Sequence, residues 1–506
     1  MTRKIIYSLL SLFIIHCQLQ AINYFVSNAG NDTHTGLTRS FPFLTLQKAV
    51  SVVAAGDSVF VENGKYAGFD IRNKHGNQHN RIVFQALGNQ VLINKRGPNR
   101  EDGINVENAN YITIDGFIVS DMPGAGNGIR LVFADFCVVR NCTCDRNAER
   151  GIFTGFTDDI LIEHNVCMNS VDEHGIYVSN SSDRPIIRYN ECFRNNNIGI
   201  HLNGDISQGG DGIISDAQIY GNKIYDNGRA AGINMDGVEN PIIYNNLIYD
   251  NHFAQGIALF QQDGAIVTRG AKIFNNTIIV PSDGRWGILM YEGAQVNTEI
   301  YNNIIINNHT WRGCISAENL TGLKSDFNLL NDKMSFTGDG SSVPLQDWQQ
   351  KGLDLHSIIG TDLTAIFRNP ANFDFHLASN SVAINAGTNL VSSVVHEDFD
   401  HRIRPIGSAY DLGCFEFPEA TSTESPTNSK ALSVFPNPVS NWIHIEGAEE
   451  YSGIQILDPL GIINLEIRGT ELPNKVNLAT LIPGIYFLRV TNGVNGDCST
   501  IKVIKN

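Results

Sequence analysis

Beyond residue 21 the chain contains no apolar run long enough to cross a bilayer as a helix. It is also short of positive charge. Lys and Arg together number 36 against 52 Asp and Glu, a net of -16, which argues against a nucleic-acid backbone or an anionic membrane surface as partner. Leucine lacks the spacing of a leucine-rich horseshoe, and the repeating segments are too short for propeller blades. Cysteine is sparse, with nine residues, and Cys17 sits in no lipoprotein box, which predicts soluble export rather than a lipid anchor. Cys144, Cys167 and Cys192 recur at gaps of 23 and 25 residues, and Ile224 and Ile248 then take the same place. A thiol that trades places with isoleucine is a small buried apolar residue, so core packing is expected rather than disulfides or a metal. Cys142-Thr143-Cys144 alone is a weak metal signal.

What is present begins with MTRKIIYSLLSLFIIHCQLQA. A basic lead, an apolar run from Ile5 to Ile15 and a small-residue exit predict a secretory signal over 1–21, cleaved after Ala21. The remaining length exceeds one ordinary core and predicts more than one unit.

A glycine-isoleucine phrase starts at Gly103 and returns at Gly128, Gly151, Gly175, Gly199, Gly232, Gly256 and Gly287. The intervals are 25, 23, 24, 24, 33, 24 and 31 residues. Each unit carries a second short strand, as in DILIEHNV and NPIIYNNL, closed by Asn141, Asn165, Asn190, Asn222, Asn246, Asn276 or Asn303. Two or three short strands per period with little helix predict an all-β, right-handed parallel β-helix, whose strands stack about 4.8 Å apart. The asparagines are expected to serve bends and to bond to one another along the stack. A helix over Leu44–Val53 is expected to cap the open N-terminal end.

The entry segment, VSNAGNDTHTG followed by FPFLTLQKAVSVVAAGDSVFVENGKY, resembles that of the secreted pectate-lyase-like β-helix proteins. DFHLASNSVAINAG and DFDHRIRPIGSAYDLGCFEF resemble the closing segment of the same group. The resemblance covers 22–417 and implies the fold rather than the reaction, because that fold hosts lyases, hydrolases, epimerases and adhesins. PEATSTESPTNSKA over 418–431 reads as a polar linker. Residues 432–506 show short alternating strands that predict a small C-terminal β-sandwich. LSVFPNPVSNWIHIEG and LIPGIYFLRV resemble the C-terminal sorting domain of Bacteroidetes type IX secretion cargo. By implication the type IX machinery is a partner and the protein reaches the cell surface or the medium.

In a strand reading Gly-Ile-x-Val-z, isoleucine and valine face the core while x and z face out. Polar letters gather in the middle turns: Tyr177 with Ser179, His201 with Asn203, and Asn234 with Asp236. The two longer intervals gain their residues after Asn203 and after Phe260, so both loops are expected to flank this patch. The first brings Asp205 and Asp211 to its edge. Each residue also has a purely structural alternative. His201 can be an ordinary surface histidine, and Tyr177 can simply cover the sheet. Asp205, Asp211 and Asp236 stand beside glycines and can form turns, and His174 can bond a bend. Co-location on one face is what singles the set out.

Three functions compete. In a lyase or epimerase acting on a uronic-acid polysaccharide, His201 is the natural base and Tyr177 the natural acid. His174 stands close by. Asn203, Asn234 and Ser179 offer contacts to the substrate, and Arg130 and Arg150 offer subsite contacts farther along. Calcium held by Asp205, Asp211 and Asp236 is an alternative means of neutralising the substrate carboxylate. A glycoside hydrolase would draw a carboxylate pair from those same aspartates. A carbohydrate-binding surface protein would need only aromatic platforms such as Phe153, Phe260, Trp286 and Tyr291. The chain lacks the Asp-Asp pair and Gly-His-Gly motif of polygalacturonases and the closely set aspartates of calcium pectate lyases. No catalytic role is therefore carried over from the resemblance.

Overall fold

A computed structural model describes residues 21–418 and, with short interruptions, 433–505. The expected signal and linker lie outside the described residues. The chain divides into two compact units between residues 419 and 420.

In the first unit three parallel sheets of 12, 11 and 12 strands run the length of a right-handed β-helix. Each turn gives one short strand to each sheet. One turn supplies Ile152–Gly155, Leu161–Glu163 and Val166–Met168, and the next supplies Ile176–Ser179, Ile186–Arg188 and Glu191–Phe193. Pairing is in register, so Ile152 lies on Ile176 and Phe153 on Tyr177. Ile152, Ile176, Ile200, Ile233, Ile257 and Ile288 form one fully buried column. The glycine before each isoleucine has a steric reason. A Cβ on Gly151 would stand 2.6 Å from the carbonyl oxygen of Gly175 in the next turn.

The cysteine expectation holds geometrically. Cys144, Cys167 and Cys192 are register partners, and Cys192 continues into Ile224 and Ile248. The seven described cysteines are free and buried.

An asparagine ladder runs through Asn165, Asn190, Asn222, Asn246, Asn276, Asn303 and Asn328. In each step the side-chain and backbone N–H groups of one asparagine donate to Oδ1 of the next, at 2.9–3.0 Å. Two details differ from the expectation. Asn141 is one position out of step, since Cys142 is the residue whose N–H donates to Asn165 Oδ1. The left-handed backbone belongs to the residue before each ladder asparagine, namely His164, Tyr189, Gly221, Asn245, Asn275, Asn302 and Phe327. A second ladder, not anticipated, links Ser170, Asn195, Asn227 and Asn251 at the next bend.

The N-terminal helix spans Leu46–Val52, with Thr45 capping the Lys48 N–H, and buries Leu46, Ala49 and Val50 against the first turns. The closing segment lies over the outside of the later turns. Phe367, Phe375 and Leu377 pack on Tyr249, Ile279 and Ile306, while Val391, Val395 and Tyr410 pack on Phe274. The second unit consists of one three-stranded and one four-stranded antiparallel sheet around its own core of Ile443, Ile454, Ile456, Val476 and Val490.

Candidate functional site

Tyr177 and His201 occupy equivalent positions on adjoining strands, and register fixes their contact. Their rings stack at 4.8 Å and 25°. His174, just before the glycine of the Tyr177 strand, meets His201 edge-on, with its Nε2 3.0 Å from His201 Nδ1. The Arg150 guanidinium lies 4.9 Å from the Tyr177 ring centre and 5.3 Å from that of Phe153. It is flanked by Glu149 at 3.3 Å and Glu173 at 3.8 Å.

The proton positions in the histidine pair follow from fixed neighbours. The backbone N–H of Ile198 donates to His174 Nδ1, at 3.3 Å, and the Glu173 carboxylate stands 2.9 Å from His174 Nε2. His174 therefore carries its proton on Nε2. That proton lies between the Glu173 carboxylate and His201 Nδ1, so His201 Nδ1 carries none of its own and the His201 proton sits on Nε2, an atom buried without a partner. Burial, with His174 and the Arg150 charge close by, pushes the His201 pKa well below its ordinary value and keeps the ring neutral. Burial lowers His174 as well, against the raising effect of Glu173. This arrangement differs from the free base expected from the sequence. His201 is a neutral, covered N–H donor, whereas a base needs a free lone pair at that nitrogen.

Tyr177 keeps its proton, because burial raises its pKa. Its oxygen accepts from Asn203 Nδ2 at 3.1 Å, and the same amide lies 3.3 Å from Asp263 Oδ2. Asp263 is exposed and was not singled out by the sequence. Its only signal there was its place in the second long loop.

Asp236 holds a loop. It is buried, and its carboxylate accepts the backbone N–H groups of Gln262 (2.9 Å), Asp263 (2.7 Å) and Gly264 (3.1 Å). A carboxylate so enclosed anchors the loop that presents Asp263 and is not free for acid–base work. Asp205 accepts from the N–H and hydroxyl of Ser207, and Asp211 from the N–H of Ile213. Both are turn formers. Among the described residues no group of three or more His, Cys, Asp or Glu is placed to hold a metal ion, Asp205, Asp211 and Asp236 included.

The two long loops bond to each other rather than standing apart as walls. Ile206 N–H donates to Asp263 O and Ala265 N–H to Gly212 O. They close over the strand ends, which is why Ser179, Asn203, Asn234 and Asp236 are buried although their side of the strand faces away from the core. Ser179 donates to Asn180 Oδ1 at 2.7 Å. Asn234 lies beside His201 in register. Arg130 stands away from the group, held by Asn105 Oδ1 at 2.7 Å and Glu107 at 3.1 Å.

Residues 50–260 match the family model described as periplasmic copper-binding protein (NosD), and residues 433–506 match the secretion system C-terminal sorting domain. The chain is a secreted parallel β-helix protein with a C-terminal sorting domain. That domain marks the β-helix protein for type IX export to the cell surface, and no helix among the described residues is long and apolar enough to cross a membrane. The crystal structure of pectate lyase Pel9A is similar in fold, with a TM-score of 0.54, 16% identity and coverage of 79% of this chain and 97% of that one. A rhamnogalacturonan lyase gives 0.46 at 14% identity (69% and 90% covered), and the periplasmic alginate epimerase AlgG gives 0.32 at 14% (63% and 84%). No curated protein matches significantly. The copper in that model's description belongs to the matched family and is not carried over to this chain; among the described residues no group of three or more His, Cys, Asp or Glu is placed to hold a metal ion.

Proposed function

We propose that this secreted β-helix protein acts on a uronic-acid-containing polysaccharide by removing the proton beside the carboxylate, as a lyase or an epimerase. One observation carries the reading: the Asn203 amide bridges the Tyr177 phenol and the Asp263 carboxylate, with the Arg150 guanidinium against the Tyr177 ring. An acid, a base and a cation thus share one short chain of contacts.

In the elimination, Asp263 takes the C5 proton, the electron pair forms the C4–C5 double bond, the C4–O bond breaks, and Tyr177 protonates the leaving oxygen. In the epimerisation the bond to oxygen stays, and Tyr177 returns a proton to C5 from the other face. Arg150, flanked by Glu149 and Glu173, lends its charge to offset the substrate carboxylate. The likeness in fold to a pectate lyase is consistent with this chemistry but does not carry it.

Pectin, alginate and glycosaminoglycans incubated with the protein in deuterated buffer test the proposal. An unsaturated uronate, seen by its ultraviolet absorbance, identifies the lyase, and deuterium at C5 without it identifies the epimerase. Tyr177→Phe and Asp263→Asn should each lower the rate about 100-fold or more. Chelator treatment should leave it unchanged. Neither product from any uronate polymer would sink the proposal.

A further inference from the structure

A second site lies on a different sheet. Beneath the closing segment is a cavity of about 130 Å³ lined by Arg188, Tyr189, Tyr220, Tyr244, Asn245 and Glu397, with His396 at its exposed rim. It is built by the fold. Tyr220 and Tyr244 are register partners whose rings stack at 4.6 Å. Gly221 leaves room for the Tyr189 ring, which a Cβ there would meet at 2.5 Å. Asn245 is buried; its Nδ2 holds the closing segment through the Glu397 carbonyl, while its Oδ1 is buried without a partner.

The unused groups define the ligand. Arg188 is engaged by Glu163 at 2.6 Å and donates to the Tyr220 oxygen at 2.9 Å, so no free cation faces the cavity to receive an anion. Asn245 Oδ1 is the acceptor left open, since Glu397 takes the Tyr189 hydroxyl at 3.3 Å and pairs with His401 at 3.5 Å, and Asp398 takes the backbone N–H groups of Asp400, Arg402 and Glu416, so no free anion faces the cavity either. A ligand must therefore be uncharged and bring hydroxyl donors. The tyrosine rings offer apolar surface to a ring's C–H faces. The volume lies well below the roughly 300–1,000 Å³ of sites for drug-sized ligands, which limits the occupant to a single ring. We infer that this cavity binds one neutral sugar residue, separately from the Tyr177 and His201 site. The inference does not depend on the reaction proposed above.

Full-length protein should be titrated with methyl glycosides of a neutral hexose, a deoxyhexose and a pentose, and with free hexuronate, by calorimetry and saturation-transfer NMR. At least one neutral glycoside should bind with a Kd of about 1 mM, and hexuronate should not compete. Asn245→Leu should weaken binding about 10-fold by removing the orphan acceptor. His396→Trp, which narrows the exposed rim without touching the interior, should do the same and decides the matter if Asn245→Leu does not fold. Tyr177→Phe should leave this binding intact. Absence of binding by every neutral glycoside, equal binding of hexuronate, or affinity that survives His396→Trp would overturn the inference.

Discussion

His201 shows how a residue's surroundings rewrite its chemistry. An outward histidine on a bare sheet would titrate near neutrality and contribute little to stability, whereas here the ring is stacked on Tyr177, bonded to His174 and depressed in pKa by burial. The unfolded chain takes up a proton at this position below about pH 6.5, and the folded chain does so only at lower pH. Stability tied to His201 is therefore full above that pH and declines as pH falls through the folded pKa. Melting curves of wild type and His201→Phe from pH 8 to 5 should converge at the acid end, and parallel curves would contradict the assignment. His252, His376 and His401 have raised pKa values and act in the opposite sense, so the difference between the curves, and not either alone, carries the information. Cys167 gives a simpler test. Fully buried in its thiol column, it should resist maleimide labelling in native protein and react in denaturant.

At the scale of elements, the ladders hold the bends together. Asn246 accepts from Asn222 and donates to Asn276 and to the Ile219 carbonyl. Asn246→Ala leaves buried donors and acceptors unmatched, at about 1–3 kcal/mol for each, and should move the urea midpoint sharply while the spectrum of the remaining β-structure persists. The first ladder was legible in the sequence because its asparagines close the second strand of each unit. The second, Asn195, Asn227 and Asn251, carries the same residue at the same period, but polar neighbours such as Asp226 and Asp250 hide it among ordinary turn formers. The loops show the limit of that reading more clearly. Their lengths placed them beside the patch, but length could not say that Asp236 would turn inward to three backbone N–H groups and lift Asp263 into reach of Asn203.

Over the whole molecule, each unit has its own core. A chain ending at residue 418 should melt like the β-helix of the full protein but fail to reach the cell surface, as fractionation of cells producing each form would detect. The sequence by itself determined the coiling, since a period near 24 residues with glycine, isoleucine and asparagine at fixed places admits one stacking, and it determined the export address, a local pattern read without reference to the rest of the chain. It also brought Tyr177 next to His201, because register turns a repeat interval into a contact. Only the tertiary structure decided the chemistry. Which nitrogen of His201 holds the proton, which aspartate is free, and what lies beneath the closing segment all depend on side chains from different turns and loops meeting in three dimensions. Hydrogen bonds and burial act through those meetings, and no single stretch of chain contains them.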